Sequence, residues 1–243
     1  MRWIDVTRDP NSAAALDYRR RDLERAHAAP IRDREAYLCS AASGKRVLDI
    51  GVADHDRTAR VKGFSLHRRI AESASSSLGV DILEEAIEAL STEGFDVAVA
   101  DVCASDFSDR TGFGYDVVIA GEVIEHLGNP EMMMWNCRQV LAPHGRLFLT
   151  TPNPHCLRLV SAYLRGKVVE SVDHLVYWFP SGIAELADRT GFRLIRYRGV
   201  ISDSAGRGPR RAISRLAAST VLVPEAACWT IAYELEPVGD SVQ

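Results

Sequence analysis

Tyr115-Asp-Val-Val-Ile-Ala-Gly-Glu-Val-Ile-Glu-His-Leu127 and Arg146-Leu-Phe-Leu-Thr-Thr-Pro-Asn153 decide how this chain is built. Each begins as an apolar, β-branched run and stops abruptly at a polar cluster. Such runs between turn signals read as strands covered on both faces, which means a parallel sheet with helices on either side. In sheets of that kind ligands sit beyond the carboxyl ends of the strands. Glu122, Glu125 and His126 fall there on the first run, Asn153 and His155 on the second. Carboxylates and imidazoles at that edge predict an enzyme.

Outward from these two strands the chain alternates. Strands are expected at Arg46–Ile50, Leu78–Asp81, Asp96–Asp101, Tyr115–Ala120, Arg146–Thr151, Phe192–Val200 and Ala227–Leu235. Helical spacing falls at Phe64–Ser77, Leu83–Leu90, Pro130–Leu141 and Ser181–Thr190, with Ser181 as the last helix's cap and Gly191 past its end. Residues 10–43 read as two helices broken near Ala29-Pro30, the first capped by Asn11 or Ser12. A linker over Ser202–Pro209 and a short helix over Arg211–Ser219 precede the last strand. The sum is an α/β fold, a doubly wound seven-stranded sheet. Residues 1–44 form an N-terminal helical cap on a catalytic domain of residues 45–243. Within it, 154–172 is the least regular insertion, placed where a substrate lid would go. Met132-Met-Met134-Trp135 reads as packing against the sheet.

Bulk properties narrow the class. A chain of 243 residues suits one sizeable domain, and a net charge of −4 argues against a protein built to bind nucleic acid or an acidic membrane. Cysteines 39, 103, 137, 156 and 228 show no C-x-x-C spacing and read as thiols in a reducing compartment. No run approaches a membrane span and the N-terminus lacks a signal-peptide core, so the expected location is cytoplasmic. The residues leave open whether the protein is a monomer or a homodimer.

The first strand runs Val47-Leu-Asp49-Ile-Gly51, and a glycine there lets backbone approach a ligand before the next helix starts. Asp81, ending the second strand, can accept both hydroxyls of a ribose. Asp101 ends the third strand in a position suited to an adenine amino group. Each acid alone reads more readily as a helix cap than as a ligand. Three of them on adjacent strands point to a bound nucleoside.

With these motifs in order, the chain resembles the class I S-adenosylmethionine-dependent methyltransferases, of the type 11 and type 23 kind, over roughly residues 45 to 200. Val47–Gly51 resembles their first motif, Gly79-Val-Asp81 the second, and Ala100-Asp101-Val102 the adenine-contacting third. Asp116–Leu127 and Leu141–Asn153 resemble the fourth motif and the segment after it. The resemblance implies a Rossmann-like sheet, mostly parallel, with the last strand antiparallel. It implies that Asp49, Gly51 and Ala53 border the methionine end of S-adenosylmethionine and that Asp81 with Ile82 holds the ribose. Asp101 with Val102 would frame the adenine, and Gly121 and Glu122 would close the site. Ala53, and His55 after it, stand where the family usually has glycine, so the loop must differ or carry strain. His55 could reach the cofactor's carboxylate or be an exposed turn residue.

Glu122-Val-Ile-Glu125-His126, with Asp173-His174 later, further resembles a subgroup of O-methyltransferases. That subgroup includes enzymes of ubiquinone synthesis and enzymes that methylate the 3′-terminal ribose of small RNAs. The resemblance implies a divalent magnesium or manganese ion held by Glu122, Glu125, His126 and His174, against the hydroxyl to be methylated. The alternative is that Glu122 borders the cofactor, Glu125 complements a helix dipole, and His126 packs or acts alone as base. Catalytic candidates are His126 and His174, with His155 third, because a hydroxyl must lose its proton near neutral pH. Tyr177-Trp-Phe179 would wall the acceptor pocket or pack in the core.

The expected function is O-methylation of a sugar, glycan precursor or small natural product. One rival, an RNA ribose methyltransferase, requires a positive groove beside His126. Another is a non-catalytic nucleoside-binding module. A nicotinamide enzyme is disfavoured because Gly51-Val-Ala-Asp54 lacks the glycine spacing that accommodates a pyrophosphate.

Overall fold

The computed structural model describes residues 2–53, 66–201 and 224–239. His55, the linker from Ser202 and the short helix over Arg211–Ser219 lie outside the described residues. The elements in chain order are α1 (Ala13–Ala26), α2 (Arg34–Ala42), β1 (Arg46–Ile50), α3 (Leu66–Ser73), β2 (Ser76–Asp81), α4 (Glu84–Thr92), β3 (Val97–Val99) and α5 (Phe107–Thr111). They continue with β4 (Tyr115–Gly121), α6 (Pro130–Val140), β5 (Leu141–Pro152), α7 (Leu157–Tyr163), α8 (Pro180–Thr190), β6 (Phe192–Val200) and β7 (Thr230–Pro237). Short 3₁₀ turns lie at Ile124–His126 and Pro224–Ala227.

The seven strands form one sheet in the order β3-β2-β1-β4-β5-β7-β6. All pairings from β3 through β5 are parallel, and β7 runs against both of its neighbours. The chain turns from one half of the sheet to the other between β1 and β4. In an open α/β sheet that switch point is where a crevice opens.

Side-chain alternation along the strands divides the core in two. Leu48, Val118, Ala120, Leu147 and Leu149 pack on one face with Met133, Met134 and Cys137 of α6 and Ile183 and Ala187 of α8. Val47, Val117, Ile119 and Phe148 pack on the other with Leu38 and Ala42 of α2 and Ile70 of α3. Met133 and Met134 are fully buried, each contributing on the order of 1.5–3 kcal/mol through burial. The buried cysteines behave as apolar filler, and burial pushes the Cys228 thiol up to about 12.

Ser12 caps α1, its hydroxyl accepting from the Ala15 amide at 3.2 Å, a contact worth about 1 kcal/mol. Arg19 then ties α1 to α8 through Glu185 at 2.9 Å and Asp188 at 3.0 Å. Beyond α1, residues 27–31 run beside β6, with Ala28 N–H donating to Tyr197 and Ile31 N–H to Gly199. The N-terminal segment is thereby fastened to the sheet at the β6 side.

Several boundaries differ from the sequence expectation for physical reasons. The helix expected to reach Ser77 ends at Ser73, and β2 starts at Ser76, because a serine run favours neither element strongly. β5 begins at Leu141 and passes through Pro143 and Gly145, with a register irregularity beside Tyr115 that absorbs them. Ser181 is not the cap of α8: Phe179 occupies that position and Pro180 is the first helical residue, where its missing N–H costs nothing. Inside the segment 154–172, α7 supplies a short ordered turn. Among the described residues no helix is long and apolar enough to cross a membrane.

Candidate active site

A cavity of about 740 Å³ opens at the carboxyl ends of β1, β2 and β4, lined by Asp49, Gly51, Ala53, Asp81, Ile82, Asp101, Val102, Gly121 and Glu122. That volume is of the size that holds a ligand such as a nucleoside. Every residue expected to border a nucleoside therefore faces one shared space. Its floor is shaped by Gly51, whose φ is +79° and whose missing Cβ would fall 2.4 Å from Val123 Cγ2. A side chain there would both strain the backbone and collide.

The three acids are each anchored before any ligand arrives. Asp81 Oδ2 accepts from the Ala53 amide at 2.8 Å, and its Oδ1 accepts from the Leu83 amide at 3.0 Å. Asp101 Oδ1 accepts from the Cys103 amide at 2.8 Å. Asp49, on the α2/α3 face with Val47, meets His67 Nδ1 at 2.9 Å through its Oδ2. Each carboxylate retains further lone pairs for hydroxyl or amino donors. Ala53 carries no left-handed strain, since Glu122, at φ +58°, is the one non-glycine residue with positive φ among the described residues. The loop differs from a glycine-rich one and accommodates alanine without strain at Ala53.

A second cluster adjoins this cavity on the β4 side. The turn Ile124–His126 buries Glu125 completely and brings His126 to the cavity wall. The Glu125 carbonyl accepts from Leu175 N–H at 2.8 Å and Val176 N–H at 3.3 Å, pinning the segment that carries His174. The His126 and His174 rings meet edge-on, centroids 4.8 Å apart, and Asp173 Oδ2 lies 3.3 Å from His126 Nδ1. Glu125, His126 and His174 each offer a donor atom within 4.8 Å of the others.

Among the described residues neither Glu125 oxygen makes an aligned hydrogen bond, and His174 Nδ1 is likewise buried without a partner. Burial, followed by the charge of Glu122, pushes the Glu125 carboxyl up to about 8, with the Thr151 hydroxyl offsetting part of this. Burial and then the neighbouring His126 lower His174 below the ordinary histidine range. Orphaned buried donors of mixed carboxylate and imidazole type suit a divalent cation, and small shifts would bring them to the spacing that coordination at about 2.1 Å requires. Glu122 is outside the trio whose donor atoms all fall within 4.8 Å of one another, yet it neighbours Glu125 closely enough to raise that carboxyl, and its Oε1 lies 3.6 Å from Arg34 Nη1.

Asn153 and His155 do not join the cluster. The buried Asn153 side chain donates to the Glu225 and Cys228 carbonyls, both at 2.8 Å, clamping the chain ahead of β7. His155 is exposed and rests on Phe179, ring centroids 5.0 Å apart. Trp178 packs on the core and reaches the Ile124 carbonyl at 3.4 Å, while Tyr177 sits by His174. Sequence reasoning missed Arg34, His67, Leu127 and Asp173, all lining the cavity. Arg34 and His67 belong to helices whose spacing signals only packing. Asp173 carries a signal in its position next to His174 in the chain.

Comparison with known proteins agrees with this geometry. A family model described as a methyltransferase domain matches residues 19–197. The chain is 27% identical over 143 residues to a ubiquinone biosynthesis O-methyltransferase of Idiomarina loihiensis, covering 57% of this chain and 53% of that enzyme. It is 26% identical over 182 residues to one of Paraburkholderia xenovorans, covering 71% and 75%. The chain thus spans about half the length of the first of these relatives. In fold it is similar to an S-adenosylmethionine-dependent methyltransferase of Archaeoglobus fulgidus, with a TM-score of 0.54 at 19% identity, covering 82% of this chain and 89% of that one. It is also similar to the CcbJ methyltransferase of Streptomyces caelestis, with a TM-score of 0.56 at 16% identity, covering 84% and 89%.

Proposed function

The chain belongs to the class I S-adenosylmethionine-dependent methyltransferases, and on that premise we propose that it methylates a hydroxyl oxygen of a small organic acceptor. The observation that carries this is the adjacency of the Glu125, His126 and His174 cluster to the cavity ringed by Asp49, Asp81 and Asp101. The relatives named as O-methyltransferases support oxygen as the receiving atom. A sugar, glycan precursor or natural product remains the acceptor class. Exposed Leu175, Val176 and Phe179 beside His174 favour one with an apolar ring or chain over a bulky polar polymer.

In this proposal Asp81 holds the ribose hydroxyls, Asp101 and Val102 frame the adenine, and Asp49 and Gly51 border the methionine end. S-adenosylmethionine supplies a methyl group on a cationic sulfur, already a strong electrophile. The chain's own task is therefore to align an oxygen with that methyl at about 3–3.5 Å and to exclude water. His126, whose ring lines the cavity, takes the hydroxyl proton or orients the oxygen, an effect worth roughly 10²–10⁴-fold. Glu125, His126 and His174 would hold a divalent cation, which when bound would lower the pKa of a hydroxyl beside it. Glu122 would act at the cofactor side through Arg34.

The charges near His126 weigh against RNA. Asp173 lies beside His126, Glu122 and Asp101 line the same cavity, and Arg34 is the sole cation lining it among the described residues. A polyanion would be repelled there.

The test is methyl transfer from labelled S-adenosylmethionine to a panel of phenols, catechols and hydroxylated sugars, with and without chelator. Wild-type protein is expected to turn over at least one hydroxyl acceptor. Chelator, Glu125→Ala and His174→Ala should each cost at least about tenfold. Turnover untouched by all three would sink the cation reading, and methylation confined to nitrogen or carbon acceptors would sink the oxygen reading.

A further inference from the structure

His67 lines the cavity at a buried position that packing alone does not explain. Its ring is 2% exposed, stands edge-on to Phe95 with centroids 5.5 Å apart, and presses against Gly79. A Cβ on Gly79 would fall 2.6 Å from His67 Cε1 and 2.8 Å from Nε2, so the residue two before Asp81 must be glycine to admit the imidazole. Nε2 is buried without a hydrogen-bond partner among the described residues. An orphaned ring nitrogen is costly, and leucine or phenylalanine would fill the same space without it. What the imidazole gains is its bond from Nδ1 to Asp49 Oδ2 at 2.9 Å. Asp49 is 4% exposed, a site where an unpartnered carboxylate is strongly disfavoured.

The geometry points to His67 as a positioning residue for the methyl donor. It fixes the Asp49 carboxylate at the cavity wall so that the remaining lone pairs face the cationic methionine end of S-adenosylmethionine. This rests on the role proposed for Asp49 above. Alternation along β1 makes the pairing possible: Asp49 shares a face with Val47, the face covered by α3, which carries His67. The Gly79-Val-Asp81 motif thus serves two acids. Asp81 meets the ligand itself, and Gly79 leaves room for the residue that steadies Asp49.

The test compares two amides at one position. An asparagine nitrogen reaches the place of Nδ1, whereas a glutamine nitrogen reaches that of Nε2. Binding of S-adenosylmethionine and S-adenosylhomocysteine is measured by calorimetry for wild type, H67N, H67Q and H67L, with melting temperatures in parallel. H67L and H67Q are expected to raise Kd about tenfold or more, with kcat at saturating cofactor within about threefold. H67N is expected to restore most of the affinity, and H67L added to Asp49→Asn is expected to cost nothing further. H67L binding like wild type, or H67N as weak as an equally stable H67Q, would overturn the assignment. A wild-type protein that binds neither ligand would bring down the nucleoside reading itself and this role with it.

Discussion

The two halves of the site are finished to different degrees. On the cofactor side every acid is held in place: Asp81 by two backbone amides, Asp101 by one, Asp49 by His67. On the proposed acceptor side Glu125 has two oxygens and His174 a nitrogen without aligned partners among the described residues, all buried. Leu164, Val172 and Leu175 nearby in the chain are exposed at 83%, 101% and 64%. A half that binds one invariant molecule can be preorganised by the fold. On the function proposed above, the other half is completed by a cation and an acceptor, and it leaves donors and apolar surface waiting at a cost carried in the free protein.

Asp81→Ala should produce the largest effect, since it removes the acceptor proposed for the ribose together with the anchor for Ala53 and Leu83. Two hydrogen bonds to a charged group, at about 1.5–3 kcal/mol each, imply a Kd for S-adenosylhomocysteine raised about 100-fold or more. Calorimetry reads this directly, and a loss below threefold would show that the cofactor half is less preorganised than the geometry says.

The next effect belongs to the acceptor half and concerns stability. Burial holds Glu125 up to about 8, whereas an unfolded glutamate titrates near ~4.3. Between those values the folded chain keeps a proton that the unfolded chain releases, so stability falls as pH rises from about 5 to about 8. The slope is at most about 1.4 kcal/mol per pH unit. Glu125→Gln should flatten it and leave the cation-free protein more stable near pH 8, as read from urea midpoints in chelator. A wild-type midpoint that stays level or climbs over that range would contradict an orphaned Glu125.

The smallest effect sharpens the contrast. Leu164→Ser and Val172→Ser should change stability by no more than about 0.5 kcal/mol, because neither side chain is buried in the free protein. Each should nonetheless raise KM for an apolar acceptor several-fold. Unchanged kinetics for both would assign that surface no part in the acceptor half.

The same division governs what could be read from the chain. Asp49, Asp81 and Asp101 were legible because strand ends announce themselves by an apolar run that stops, and the fold places such ends side by side. Asp116–Leu127 was legible for the same reason. His67 was not, since it lies on α3 at a position where helical periodicity announces only burial. Asn153 sits at a strand end among functional residues, yet it is spent on carbonyls of a segment more than seventy positions away. No local pattern contains that partner. The start of β5 was hidden by Pro143 and Gly145, which read as a turn and are absorbed by an irregular register. The positive φ of Glu122 and its approach to Arg34, from a helix far earlier in the chain, have no local signal either.

The strip at residues 27–31 has a consequence for solubility. β6 ends the sheet, and its outer amides and carbonyls would be a template for adding strands from other molecules. His27 and Ile31 bridge to Tyr197 and Val200 and occupy that border. The opposite border is β3, three residues long and too short to seed pairing. Shortening the chain to begin after Pro30 would strip most of the guard from the longer border, and the shortened protein should associate into edge-paired oligomers while its ligand cavity stays intact.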